Sequence, residues 1–274
     1  LTLSAGQQAA VDADSRSVAV FAGPGSGKTR VLVHRIINQI KNGAGSGDTL
    51  VLTFTNRAAD EMAQRLSDML GKARPLPRVS TFHAFCLDVL KETGDKVPVI
   101  MDEIDRRLVL AQVLDQLNAP GDSPKNSSEN PPENQIDAKP ARLLDRIAAA
   151  KQNVMFPDDD LSAVAGDIPA DQLALVYRGY QEVLTENNAC DYEDLIFKVV
   201  RLWEEAPPLQ EKYQQRFPFV FIDEYQDSNY CQYRLTRALA PPDGVIGVIG
   251  DPDQAIYGFR GSSPIYFDRF KKDY

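Results

Sequence analysis

The short apolar run Ser17–Ala22, SVAVFA, passes directly into GPGSGKTR, Gly23–Arg30, and a helical pattern covers Lys28–Lys41. No other stretch constrains the fold as much. A β-like run, a glycine-rich turn and a Lys-Thr pair opening a helix form the setting of a phosphate-binding loop. Glycines let successive backbone N–H groups point at phosphate oxygens with no Cβ in the way. The helix N-terminus adds partial positive charge. Ala22, Gly23, Pro24, Gly25, Ser26 and Gly27 are therefore the candidate phosphate cradle, with Ala22 where the strict pattern has its first glycine. Lys28 is placed to reach the β- and γ-phosphates of a nucleotide, and Thr29 to offer its hydroxyl to Mg²⁺.

Two textures share the rest of the chain. Thr49–Phe54, Arg78–Phe82, Pro218–Ile222 and Val245–Ile249 are short apolar runs, suited to strands buried on both faces of a parallel sheet. Helical patterns such as Arg57–Leu70 separate the early runs, and that alternation means an α/β layer fold. From about 87 to 216 the texture is almost wholly helical. Ile104, Leu108, Ala111 and Leu114 recur at helix spacing, as do Leu173, Val176, Tyr177, Tyr180 and Leu184. Pro120–Gln135, PGDSPKNSSENPPENQ, has no apolar anchor and reads as a mobile loop. The expected plan is a parallel-sheet α/β domain over 1–86 and 191–274, interrupted by an all-helical subdomain over 87–190.

The chain has 274 residues and a net charge of −9. That balance argues against a broad basic face, though a local groove can still be basic or aromatic. Three cysteines and two histidines make neither a zinc spacing nor a disulfide framework, so a reducing cytoplasm is expected. No apolar run approaches the ~20 residues of a membrane span, and no signal-peptide pattern opens the chain. Leu1 in place of Met reads as a processed or excised piece.

A phosphate-binding loop needs a carboxylate at the end of a nearby buried strand. Pro218–Ile222 is followed by Asp223-Glu224-Tyr225-Gln226-Asp227. Asp223 is placed to hold Mg²⁺ through water. Glu224 is placed to polarise the water that attacks the γ-phosphate. Asp227-Ser228 suits a helix cap.

At this point the residues resemble the ATP-binding half of UvrD/Rep/PcrA-type superfamily 1 DNA helicases, nearly end to end. Leu3-Ser4-Ala5-Gly6-Gln7 with Ala10-Val11 is similar to the family's Q motif, which implies that Gln7 reads the adenine edge. Ala22–Arg30 is similar to motif I, which implies that Arg30 lies near the nucleotide. Thr53–Ala59 is similar to motif Ia and Ser80–His83 to the next DNA motif. They imply that Phe54, Thr55, Asn56, Thr81 and His83 touch single-stranded DNA. Cys190–Leu195 resembles the segment leading back into the first RecA-like domain, Asp223–Asp227 motif II, and Gly250–Gly261 motif III. Arg57 stands where lysine is common, Phe259 where tryptophan is frequent, and Ser4 where asparagine is.

Within Asp251–Gly261, DPDQAIYGFRG, Gln254 is placed beside the γ-phosphate, as motif III glutamines are. Tyr257 and Phe259 offer rings to unstacked bases, at about 1–3 kcal/mol per base. Arg260 is suited to bond a phosphate or tie the loop back to Gln254. Core packing is the other reading of Phe54, Tyr257 and Phe259, and a structural role the other reading of His83.

The resemblance implies a P-loop, RecA-like fold and one half of a motor. A second RecA-like domain of the same parent chain would carry the remaining motifs, arginine fingers included. It further implies an ATP- and Mg²⁺-dependent translocase and helicase moving 3′ to 5′ on single-stranded DNA or 3′-tailed duplex, in repair, replication or recombination. The alternative is a nucleotide-gated single-strand-binding module in a larger repair or nuclease assembly. Intact Lys28, Glu224 and Gln254 favour the enzyme.

Overall fold

The computed structural model describes residues 2–71, 75–94, 97–118, 136, 138–240, 243–255 and 261–274. Its backbone forms two compact units, Leu1–Asp88 with Lys198–Tyr274, and Val89–Phe197. The chain opens with α1 (Ala5–Asp12), β1 (Ser17–Phe21), α2 (Lys28–Lys41), β2 (Thr49–Thr53), α3 (Asn56–Leu70), β3 (Arg78–Thr81) and α4 (Phe82–Thr93). Next come β4 (Val99–Ile100), α5 (Glu103–Asn118), α6 (Pro140–Gln152), α7 (Ser162–Ala165), α8 (Ala170–Glu186), β5 (Ala189–Cys190) and α9 (Tyr192–Glu205). It continues through α10 (Pro207–Arg216), β6 (Phe219–Ile222), α11 (Tyr230–Leu239), β7 (Val245–Gly250) and α12 (Ile265–Asp273). The Pro120–Gln135 stretch lies outside the described residues.

The first unit carries a five-stranded sheet in the order β1-β7-β6-β2-β3. Every pairing is parallel, with Val20 opposite Ile249, Leu52 opposite Ile222 and Thr53 opposite Thr81. This is the parallel α/β layer that strand–helix alternation requires. Burial on both faces holds for β2, which is buried throughout, and nearly so for β6 and β7. The outer strands β1 and β3 are only half-buried, because each is covered by a neighbour on one side. One sheet face is closed by α2 and α3. Val31, Leu32, Ile36, Ile37 and Ile40 pack with Met62 and Leu66 against Val51, Phe221 and Ile249. Trp203 also belongs to the packing, 1% exposed, with its ring 5.3 Å from Tyr213.

Arg35 on α2 is 2% exposed. Its guanidinium donates to the backbone carbonyls of Ala10 at 2.9 Å, Val11 at 3.3 Å, Ala13 at 3.1 Å and Ser15 at 3.3 Å. The last carbonyls of a helix have no partner within it. Arg35 supplies one, and so fastens the C-terminal end of α1 to the helix that follows the glycine loop.

The second unit is helical, with a short parallel pair of β4 and β5 in which Val99 faces Ala189. The predicted stripe on α8 is its buried face: Leu173, Val176, Tyr177, Tyr180 and Leu184 are each 0% exposed. The stripe expected on α5 is a correction. Ile104 and Leu108 are 68% and 65% exposed, while Val109, Leu110 and Val113 are buried. Leu108-Val109-Leu110 offers three adjacent apolar faces, so periodicity alone does not choose between them. Arg106, one turn before Leu110, decides the rotation. It stands 3.7 Å from Glu193 and 4.0 Å from Asp191, which requires that side of α5 to face inward.

Asp191 belongs to a closed ionic cluster. Lys151 Nζ lies 2.6 Å from Asp191 and 2.9 Å from Asp194, and all three side chains are 0% exposed. The Tyr180 hydroxyl donates to Asp191 at 3.2 Å. Burial works against the Lys151 charge, but the two carboxylates outweigh it and hold the ammonium above its ordinary pKa. Removing one member of such a group leaves charge buried without a partner, at about 3–5 kcal/mol. Lys151→Met is therefore expected to lower stability by about that amount, read as a shift in the urea midpoint. A change under about 1 kcal/mol would mean that water reaches the two aspartates.

Candidate functional site

Because every strand of the sheet is parallel, all the carboxyl ends meet at one edge. Open α/β sheets bind ligands at that edge. The loop Ala22–Gly27 follows β1, Asp223 and Glu224 follow β6, Gln254 follows β7, Phe54–Asn56 follow β2, and Phe82 and His83 follow β3. Strand order then divides them. The phosphate-site candidates follow β1, β7 and β6, and the DNA candidates Phe54, Thr55, Asn56, Thr81 and His83 stand at β2 and β3.

α1, α3 and α11 each have a side-chain cap, from Ser4, Thr55 and Asn229. α2 has none. Its N-cap is Gly27 at φ 82°, a left-handed backbone that admits glycine readily. The N–H groups of Lys28 and Thr29 thus receive no side-chain cap and suit an external acceptor. Inside the loop the Ser26 hydroxyl donates to the Gly23 carbonyl at 2.6 Å, and Ala22 N–H to the Gly250 carbonyl at 3.1 Å. Gln7 reaches the loop, its Nε2 donating to the Ser26 carbonyl at 2.7 Å. Its Oε1 accepts from Ser4 N–H at 2.8 Å, completing a capping box. Gln7 therefore joins α1 to the phosphate loop. Thr29 and Arg30, the next residues of α2 after Lys28, are half-buried.

Lys28 is 9% exposed. Its Nζ stands 3.5 Å from Gln254 Oε1 and 3.9 Å from Glu224 Oε2. Three sequence-predicted residues from three different segments thus come together. Gln254 Nε2 donates to Asp251 Oδ2 at 2.7 Å. Glu224 Nα donates to Asp223 Oδ1 at 3.0 Å. Burial, and after it the neighbouring Glu224 carboxylate, pushes Asp223 up to about 6. The same two causes push Asp227 up to about 6. Asp227 Oδ1 is buried with no hydrogen-bond partner among the described residues. Three carboxylates share the neighbourhood of one ammonium, a donor set of the chemistry that a divalent cation takes. Mg²⁺ typically takes one or two carboxylates along with substrate phosphates and waters, and Asp223 and Thr29 fit that need. Among the described residues no group of three or more His, Cys, Asp or Glu is arranged to hold a metal by itself.

At the other end of the edge, the half-buried Phe54 ring packs 5.2 Å from Phe82. Thr55 and Asn56 are exposed at the start of α3, where the Thr55 hydroxyl accepts from Ala58 N–H at 3.1 Å. Thr81 is 5% exposed, and its hydroxyl accepts from Ala84 N–H at 3.2 Å, so it serves the start of α4. His83 is half-buried, and burial lowers it to about 4. At neutral pH it is an uncharged imidazole and attracts no phosphate by charge. Tyr257, Phe259 and Arg260 lie outside the described residues.

The depressed His83 has a consequence for acid stability. A histidine whose folded pKa lies below its unfolded value of about 6.5 contributes stability fully above that value. The contribution is lost as pH falls from about 6.5 towards 4. Its full size is about 3 kcal/mol, less where solvent reaches the ring. His83→Gln is therefore expected to flatten the fall in urea midpoint between pH 7 and pH 4.5 relative to the parent. Parallel pH curves for the two proteins would place the acid sensitivity elsewhere.

Sequence reasoning assigns no role to Gln226, Asp251 or Arg35. All three are buried polar side chains, 3%, 4% and 2% exposed. The available signal was a glutamine and an aspartate set directly beyond apolar strands, where an unpaired polar group is costly.

Among described residues no helix is long and apolar enough to cross a membrane, and Cys86, Cys190 and Cys231 are buried and outside any disulfide. Comparison with known proteins adds a family. A model of the UvrD/REP helicase N-terminal domain matches residues 3–274. The ATP-dependent DNA helicase PcrA of Staphylococcus epidermidis is 35% identical over 277 residues, covering 98% of this chain and 36% of the relative. The ATP-dependent DNA helicase PcrA of Staphylococcus aureus shows the same identity and the same coverage. The chain thus spans about a third of the length of these relatives. With residues 3–274 matched by that model, the chain belongs to the UvrD/REP helicase N-terminal domain family.

Proposed function

We propose that this chain is the ATP-binding part of an ATP-driven DNA helicase that moves 3′ to 5′ along single-stranded DNA in repair, replication or recombination. The observation that carries the reading is the meeting of Lys28, Glu224 and Gln254 at one sheet edge that also bears Phe54 and His83. The loop amides and Lys28 hold the phosphates. Glu224 orients a water and takes its proton as the water oxygen bonds to the γ-phosphorus and the bond to the ADP oxygen breaks. Mg²⁺ held by Asp223 and Thr29 would offset negative charge on the phosphates. Gln254 faces Lys28 from the loop that continues into Tyr257–Arg260, so nucleotide and DNA can act on one segment. The names of the PcrA relatives, which are called ATP-dependent DNA helicases, support this assignment. A second RecA-like domain of the parent chain is proposed to close the nucleotide cleft and complete the DNA groove.

The test is ATP turnover by the full-length protein with and without single-stranded DNA, together with unwinding of duplexes tailed at either end. DNA-stimulated turnover and unwinding of the 3′-tailed duplex alone are expected. Nucleotide-dependent strand binding without stimulated turnover would make it a binding module. Turnover indifferent to DNA would sink the reading.

A further inference from the structure

Gln226, in the same loop as Glu224, reaches across to the loop that carries Gln254, and both ends of its amide are engaged. Nε2 donates to Glu224 Oε2 at 2.8 Å, and Oε1 accepts from the Asp251 N–H at 2.9 Å. Only one orientation of the amide serves both partners. Turned over, it would set its oxygen against the carboxylate and its NH₂ against the N–H. The side chain is 3% exposed, so no water easily replaces it.

The space for this bridge depends on residue 250. A Cβ on Gly250 would fall 2.2 Å from Gln226 Oε1, 2.9 Å from Phe267 Cζ and 3.0 Å from Tyr225 N. A second observation concerns the carboxylate itself. Glu224 has φ 49° and ψ 43°, the left-handed region that residues bearing a Cβ disfavour. Such a backbone persists only where its surroundings over-determine it. Gln226 is one such constraint, two residues on and fixed to the next strand.

The contacts form a closed ring. Glu224 bonds Gln226, Gln226 bonds Asp251, Asp251 bonds Gln254, Gln254 meets Lys28, and Lys28 returns to Glu224. We infer that Gln226 is a positioning residue: it ties the Glu224 carboxylate to the loop after β7, so that this loop sets where the carboxylate points. The tie gives the loop after β7 a route to the attacking water that bypasses the phosphates. This role rests on the proposed function, in which Glu224 acts on that water.

Steady-state ATP hydrolysis by the full-length protein at saturating single-stranded DNA tests it. Gln226→Leu keeps the size and removes both bonds. Its kcat is expected to fall about 10- to 100-fold, the scale of a displaced catalytic group, with KM for ATP within about threefold. Gln226→Glu, assayed at pH 8, keeps an acceptor for the Asp251 N–H but sets a carboxylate against Glu224. A purely structural tie predicts near-parental kcat for this variant, and the positioning role predicts a loss as large as that of leucine. Gly250→Ala should act in the same direction by displacing the amide. Parental kcat in Gln226→Glu, or a loss confined to KM, overturns the inference, and it does so even if Gln226→Leu fails to fold. Glu224→Gln is run alongside. If it loses activity and the Gln226 variants do not, only the positioning role fails. If the parent itself does not turn over ATP, the proposed function fails with it.

Discussion

Lys28→Ala is expected to reduce ATP hydrolysis by about 10²- to 10³-fold, the scale of removing one preorganised donor from a charged transition state. The same change should weaken ATP binding, since a hydrogen bond to a charged group contributes about 1.5–3 kcal/mol. Both effects have one origin. The ammonium is 9% exposed and sits between Gln254 and Glu224, where it is the one cation shown in ion-pair contact with the strand-end carboxylates among the described residues. Alanine leaves Asp223, Glu224 and Asp227 facing one another, and an incoming polyphosphate would then add charge of the same sign. Hydrolysis assays and titration with a fluorescent ATP analogue read the two effects separately. Turnover within about threefold of the parent would remove Lys28 from the mechanism.

Glu224→Gln is expected to divide them. The amide keeps the shape of the carboxylate but cannot accept the proton of the attacking water. General-base removal typically lowers kcat by about 10²- to 10⁴-fold. Affinity for ATP should stay within a few-fold, because Lys28, Thr29 and the loop amides are untouched. The variant should therefore hold ATP without consuming it, visible as bound, unhydrolysed nucleotide after rapid filtration. Parental turnover in this variant would require another group to act on the water.

Much of this site was legible in the sequence because its chemistry is local. A glycine loop between a strand and a helix is written in contiguous residues, and so is an acidic pair at a strand end. The order of those segments implied the parallel sheet, and with it the common edge. What escaped depends on partners far away in the chain. Gln226 acquires its role from Asp251, and Arg35 from carbonyls of Ala10–Ser15. Neither link has a periodicity to betray it. The α5 face escaped for a different reason. Three consecutive apolar residues left the rotation undecided, and the carboxylates that fix it sit about 85 residues downstream, on the far side of three further helices.

The left-handed backbone at Glu224 sets catalysis against durability. Holding a residue with a Cβ in that region costs about 1–3 kcal/mol, a sizeable fraction of the 5–15 kcal/mol by which a typical domain stays folded. Glycine would adopt the same φ and ψ without that penalty. Selection for thermal robustness alone would thus drift away from glutamate at this position, and a heat-stabilised variant obtained without an activity screen would be at risk of losing Glu224 first. Engineering for stability should begin elsewhere, with residue 224 held fixed.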